Sequence, residues 1–232
     1  MRRDIAKLKH DKNLYGLINI LSEADASSRS HAAEALGELK DEVAADCLIQ
    51  ALKDEEWMVR RHAAWALGEI QSKRAIPYLI ASFSTPRAGI DAYCAEALVK
   101  IGSAAVRPLL RVLKSHDPNV RYWSITALGE IGDARATEPL IALLSDEDVI
   151  VRYTTIKALG ELGDSRALKP LIRALEDPSD MVRRLAEKSI QRVLSSSDVR
   201  STGSGRMVKL VAVIEASDGT THNVEIDLQR DR

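Results

Sequence analysis

The sequence predicts an all-α fold, a right-handed solenoid (α/α superhelix) of six helix pairs over residues 1–194. A Ser/Gly linker at 195–206 and a short C-terminal β-hairpin at 207–232 are expected to follow. Three observations carry this reading. First, the chain repeats itself: Val-Arg recurs at Val59-Arg60, Val120-Arg121, Val151-Arg152 and Val182-Arg183, and Pro77, Pro108, Pro139 and Pro170 stand 31 residues apart. A fixed period of that length marks one supersecondary unit stacked on copies of itself, because a single unit cannot bury its apolar face alone. Second, the apolar spacing within a unit is helical, with Val120, Ile125, Ala127, Leu128 and Ile131 in one half and Leu140, Ile141, Leu143 and Leu144 in the other. Third, that spacing stops after Leu194 and gives way to SSSDVRSTGSGR and then to alternating polarity.

In chain order, Met1 to Lys9 is a short basic amphipathic lead-in, expected to cap the first repeat. Repeat one pairs Asp11–Leu21 with Ser27–Lys40 and is the most degenerate, as end repeats usually are. Repeat two pairs Asp41–Leu52 with Glu55–Ile70. Repeat three pairs Lys73–Phe83 with Pro86–Ile101 and breaks the pattern, with Asp91 in place of the arginine, Val99 in place of a glycine and one residue lost. Repeats four to six pair Ser103–Lys114 with Pro118–Ile131, Ala134–Leu144 with Glu147–Leu162, and Ser165–Leu175 with Pro178–Leu194. Gly132-Asp133 reads as a helix stop followed by a cap, since Gly takes the left-handed C-terminal position freely and Asp accepts from the free amides of the next helix. The Asp-Pro pairs at Asp117-Pro118 and Asp177-Pro178 serve the other turn. Pro139 and its equivalents make their helix begin late or bend. In the last segment Val208, Leu210, Ala212 and Ile214 form one strand face and Val224, Ile226 and Leu228 another, joined by a tight turn at Asp218-Gly219. A lone hairpin is marginal in water, so it is expected to cover the end of repeat six, to pair its edge with another chain, or to be a fusion remnant beginning at Met207.

The recurring pattern VRxxAxxALGxIGDxRAxxPLxxLL resembles HEAT-like repeats of the type found in phycobilisome bilin lyases, and the consensus of artificial α-helical repeat proteins. The resemblance covers about residues 11 to 194 and rests on residues that hold helices together. It implies fold strongly and function weakly.

Composition fits a helical stack: 29% of residues are charged, the net charge is −1 and nine residues are aromatic. No run approaches the ~18 apolar residues of a membrane span, and the N-terminus lacks the apolar stretch of a signal peptide, so a cytoplasmic protein is expected. Cys47 and Cys94 read as small helix-packing residues. No GxSxG, P-loop or dinucleotide fingerprint appears, and the glycines are assigned to the repeat turns.

By resemblance, the helix bearing VR..ALG lines the concave face, exposing the positions one, two and five after the arginine and one after the glycine. These are Ser30, His31, Glu34 and Glu38; Arg61, His62, Trp65 and Glu69; Ala92, Tyr93, Glu96 and Lys100; Tyr122, Trp123, Thr126 and Glu130; Tyr153, Thr154, Lys157 and Glu161; and Arg184, Leu185, Lys188 and Arg192. Five of the nine aromatics fall here, and Trp, Tyr and Arg dominate binding hot spots. The expected contact surface for a protein or peptide is Arg61, His62, Trp65, Tyr93, Tyr122, Trp123, Tyr153 and Lys157. Glu38, Glu69, Glu130 and Glu161 would edge it with negative charge, which argues against DNA or RNA. Arg60, Arg121, Arg152 and Arg183 read as structural, paired with Asp54, Asp117, Asp146 and Asp177.

The expected function is therefore a non-enzymatic interaction scaffold with no cofactor and no metal. Resemblance supplies an alternative, a bilin lyase subunit or pigment-protein chaperone, in which Arg61, Arg184 and His62 would pair with propionates and Trp65, Tyr93 and Trp123 would stack on a tetrapyrrole. A second alternative is self-association through the 207–229 hairpin edge. Related di-iron hydroxylases present His-Glu pairs, and this chain has none; His31 and His62 without carboxylate partners make a poor iron site.

Overall fold

A computed structural model describes residues 2–23, 25–84 and 89–196, and the backbone alone of 208–215 and 221–228. Up to Ser196 the described part is an all-helical repeat stack, and the chain divides into two compact units, Met1–Ile131 and Gly132–Arg232.

In the first unit a lead-in helix, α1 (Arg2–His10), packs on the first of four helix pairs and buries Ile5 there. The pairs are α2 (Leu14–Glu23) with α3 (Ala26–Leu39), α4 (Ala45–Ala51) with α5 (Trp57–Ile70), α6 (Ile76–Ala81) with α7 (Asp91–Ile101), and α8 (Ser103–Val112) with α9 (Pro118–Ile131). The second helices stand side by side in the order α3, α5, α7, α9. Each helix of each pair sends one leucine wholly into the core: Leu17, Leu36, Leu48, Leu67, Leu79, Leu98, Leu109 and Leu128. At roughly 1.5–3 kcal/mol per buried side chain, this row alone is the main local reason the pairs stack. The second unit pairs α10 (Thr137–Ile141) with α11 (Val149–Leu162) and α12 (Leu168–Arg173) with α13 (Asp180–Ser196), around Leu140, Ile156, Leu159, Leu171 and Ile190.

The first helices are short because their opening turn is 3₁₀: Glu42–Ala44, Lys73–Ala75, Ala134–Ala136 and Ser165–Ala167 each precede an α-helix. Pro77 is then the second residue of its α-helix, and Pro139 and Pro170 the third of theirs, where no intrahelical N–H bond is needed. Repeat four differs. Gly102, at φ 74°, joins α7 directly to α8, which leaves Pro108 inside that helix. The expected cap forms at Asp133, which accepts from the amide two residues on, and Asp41 and Asp164 make the same bond in their own repeats.

Two readings of glycine need correction. Gly132 (φ 72°) and Gly163 (φ 64°) end their helices in the left-handed region as expected, but after the first two pairs Lys40 (φ 54°) and Gln71 (φ 56°) hold the same conformation. The glycines of ALG, by contrast, do not belong to turns. Gly37, Gly68 and Gly160 are buried mid-helix where the next second helix comes closest: a Cβ on Gly37 would lie 2.7 Å from Ala66 Cα, and one on Gly68 2.9 Å from Ala97 Cα.

The last helix closes the stack with polar side chains. Ile156 and Gly160 are buried in α11, whereas the equivalent positions of α13, Glu187 and Gln191, are exposed. Past Ser196, the backbone of Val208–Glu215 runs antiparallel to Thr221–Leu228, with Val208 opposite Leu228. The hairpin itself stays an expectation, since the linker from residue 197, Met207 and the Asp218-Gly219 turn lie outside the described residues, as does the start of repeat three's second helix at Pro86.

Candidate functional site

In four of the six pairs the second helix is set by its arginine; the third pair has Asp91 at that position. Arg60 Nη1 donates to the carbonyls of Asp54 and Glu55 (both 2.8 Å), and Arg121, Arg152 and Arg183 bond the two corresponding carbonyls of their own preceding turns. The expected structural role holds, but the shared bond is to main chain rather than to carboxylates. Ion pairs between successive pairs occur as well: Arg29 meets Asp54 at 2.8 Å in the first unit, and Arg152 meets Asp177 at 2.8 Å in the second. With the turn pinned to the helix, the residues just after the arginine are held in fixed directions.

In the first unit those residues form a row. The residue one after the arginine in one helix touches the residue two after it in the next. Ser30 Oγ and His62 Nδ1 share a hydrogen bond of 2.6 Å, and the Arg61 guanidinium lies over the Tyr93 ring, 4.9 Å from its centroid. Farther along the same helices, Lys100 Nζ lies 5.9 Å from the centre of the Trp65 ring, while the other edge of that ring covers Gly37. Arg61, His62, Trp65 and Tyr93 are therefore brought together, all of them half-buried. Burial, aided by the positive charge of Arg61, holds the His62 imidazole below its usual pKa although Glu34 opposes this, so His62 is neutral near pH 7.

Tyr122 and Trp123 make a separate cluster. Their rings meet edge to face at 4.8 Å, and Trp123 stacks at 6.4 Å on Phe83, which is wholly buried. Trp123 thus divides its surface between core and solvent. Two positions expected to be exposed are buried instead: Ser30, by its bond to His62, and Thr154, whose hydroxyl donates to Ile150 O at 2.8 Å.

The acidic edge is largely neutralised. Glu69 accepts from both Lys40 (2.8 Å) and Lys100 (2.6 Å), which holds its carboxyl below the usual range, and Glu38 pairs with Lys9. In the second unit Glu161 stands 3.7 Å from Lys157. There Tyr153 is half-buried and Lys157 exposed, and Tyr153 lines a groove of about 260 Å³ with Met181, Arg184, Leu185 and Lys188.

Sequence reasoning left Lys100 out of the contact surface and missed Met181. Met181 is 43% exposed, as are Met58 (38%) and Ile150 (47%) at the equivalent position of other repeats. The available signal was an apolar residue directly before the buried valine of Val-Arg. Cys94 is buried, which pushes its thiol up to about 12, and Cys47 is partly buried with Sγ donating to Ala44 O. Among the described residues no three His, Cys, Asp or Glu side chains gather to hold a metal ion, and no helix is long and apolar enough to cross a membrane.

The model of the HEAT-repeat family matches residues 14–98, 84–147 and 106–191. No curated protein matches. Among solved structures, an archaeal HEAT-like repeats protein from Thermococcus onnurineus is similar at TM-score 0.54 and 16% identity, over 82% of this chain and 91% of that one. An engineered protein is similar at TM-score 0.46 and 21% identity, over 79% and 97%. The complex of CpcE and CpcF of phycocyanin lyase from Nostoc sp. is similar at TM-score 0.43 and 23% identity, over 83% and 80%. Such identities speak to fold alone. The matched segments together span most of the sequence, and the chain belongs to the HEAT-repeat family.

Proposed function

We propose that the chain is a non-enzymatic scaffold that binds a protein or peptide partner on the face formed by its second helices. The contact residues on the first unit are Arg61, His62, Trp65, Tyr93, Tyr122 and Trp123, and on the second unit Tyr153 and Lys157. The observation that carries this reading is the pair of cation-over-ring contacts on neighbouring helices, Arg61 over Tyr93 and Lys100 over Trp65. Here each ring is anchored by its neighbours in a fixed orientation while staying half-exposed, which lowers the ordering cost a partner would meet. The right-handed winding expected of this repeat type, which would make the face concave, belongs to the same proposal.

The test is selection from a displayed random-peptide library, with wild type and a Trp65→Ala, Tyr93→Ala double variant as baits. Truncating a central aromatic anchor costs ~2 kcal/mol or more, about a thirtyfold loss of affinity. Peptides enriched on wild type should bind the variant at least that much more weakly. Equal binding by both proteins would remove these rings from the contact surface.

A further inference from the structure

The groove between α11 and α13 has a composition of its own, and we infer that it takes an acidic peptide segment bearing one apolar side chain. This rests on the reading of the second-helix face as a protein-binding surface and names the partner chemistry of one stretch of it. At about 260 Å³ the groove falls below the ~300–1,000 Å³ of small-molecule sites, so it suits a single side chain rather than a whole metabolite. Its apolar lining is Tyr153, Leu185 and Met181, and Met181 leaves 43% of its surface open to solvent. A thioether on an unbranched chain adapts to differently shaped apolar partners, which fits an anchor pocket.

The charge around that lining has a sign. Arg184 and Lys188 stand one helical turn apart on α13; Lys157, one turn beyond Tyr153 on α11, is offset by Glu161 at 3.7 Å, so the positive charge comes from α13. Asp180 is the one carboxylate of the lining. It already accepts from Arg184 at 2.8 Å and from Arg183 at 3.3 Å. The Arg184 side chain remains 76% exposed, with donors to spare, and Lys188 is exposed. A carboxylate beside the inserted apolar side chain therefore meets a surplus of cations, whereas a basic segment would be repelled.

The probe is a labelled synthetic peptide with a central leucine flanked by aspartates, compared with its counterpart in which lysines replace the aspartates. The full chain carries four methionines, so methyl-labelled protein reports Met181 directly, with Met58 of the first unit as internal control. The acidic peptide should shift the Met181 methyl resonance in a saturable way and leave Met58 in place. Lys188→Glu, on an exposed side chain, should weaken that binding about tenfold, and Tyr153→Ala should weaken it further. A stationary Met181, an equal response to the lysine peptide, or indifference to Lys188→Glu would each overturn the inference. Should library peptides still bind in a Trp65- and Tyr93-dependent way, the scaffold reading survives that failure; should they not, both fall.

Discussion

Gly37→Ala tests the packing account most sharply, because helix propensity and tertiary packing predict opposite signs. In the middle of a helix, Ala is favoured over Gly by about 1 kcal/mol. Against that, the new Cβ would sit 2.7 Å from Ala66 Cα, 2.7 Å from Trp65 Cζ3 and 2.8 Å from Ala66 Cβ, whereas ordinary contact begins at 3.4 Å. The backbone atom cannot move aside by a rotamer change, so the α3–α5 seam must open by about 0.7 Å. A gap of that size forfeits a quarter to a half of the dispersion well across the seam, and overpacking of this kind costs about 1–3 kcal/mol. The net expectation is a loss of up to about 2 kcal/mol, a Tm lower by up to several degrees at ~2–4 °C per kcal/mol. The control is Gly16→Ala, whose Cβ would meet only the side chains of Leu8 and Asn13, at 2.7 and 3.2 Å, and which should be neutral or stabilising. Thermal and urea unfolding of both variants decide the matter. Gly37→Ala unfolding at or above the wild-type midpoint would refute the close-approach account.

Other consequences are equally open to measurement. Gln71→Gly relieves a left-handed residue and should stabilise by about 1 kcal/mol, read as a rise in the urea midpoint at unchanged slope, while Lys40→Gly also gives up the Glu69 pair and should gain less. Arg152→Ala strips a donor from the Asp146 and Glu147 carbonyls and the cation from Asp177, which keeps the Ser179 amide as a donor, so a loss of about 1–3 kcal/mol is expected by chemical unfolding; Arg152→Lys should rescue little of it. His62 has a folded pKa below its ordinary 6.5, so the unfolded chain binds the extra proton first. Its contribution is fully present above pH 6.5 and is lost as the pH falls through 6.5 to the folded value, and His62→Gln should flatten that part of the stability profile. Ending the chain at Ser196 should leave helicity and Tm unchanged, because Glu187 and Gln191 already present a polar end; a large drop in Tm would mean that the following segment covers α13.

The repeat boundaries were legible because they rest on local chemistry. Gly132 and Gly163 reverse the chain, and Asp133 and Asp164 cap the turn that follows. The roles of Gly37, Gly68 and Gly160 were not, since a glycine required by a neighbouring helix leaves the same letter in the sequence as one required by φ. For the same reason Lys40 and Gln71 gave no sign of a left-handed turn; their conformation is imposed by the helices on either side. Within the candidate site, most positions taken by resemblance to face outward are at least partly exposed, Ser30 and Thr154 being buried, but the partners of these side chains were not legible. That Lys100 sits over Trp65, that Glu69 is shared by two lysines, and that Phe83 claims one side of Trp123 all depend on contacts between pairs about 30 residues or more apart. Side-chain reach across a seam is set by helix separation, which one repeat read by itself does not reveal.

The central claim is that anchored rings on neighbouring second helices form a contact surface, and a titration tests it most directly. A peptide enriched from the library on wild-type protein is titrated into wild type and into Tyr93→Ala, with far-ultraviolet circular dichroism recorded on both proteins. The account predicts unchanged helicity, because Tyr93 is half-buried rather than core, together with at least a thirtyfold weaker affinity. Unchanged affinity at unchanged helicity would contradict it and leave the Arg61–Tyr93 stack as packing between repeats.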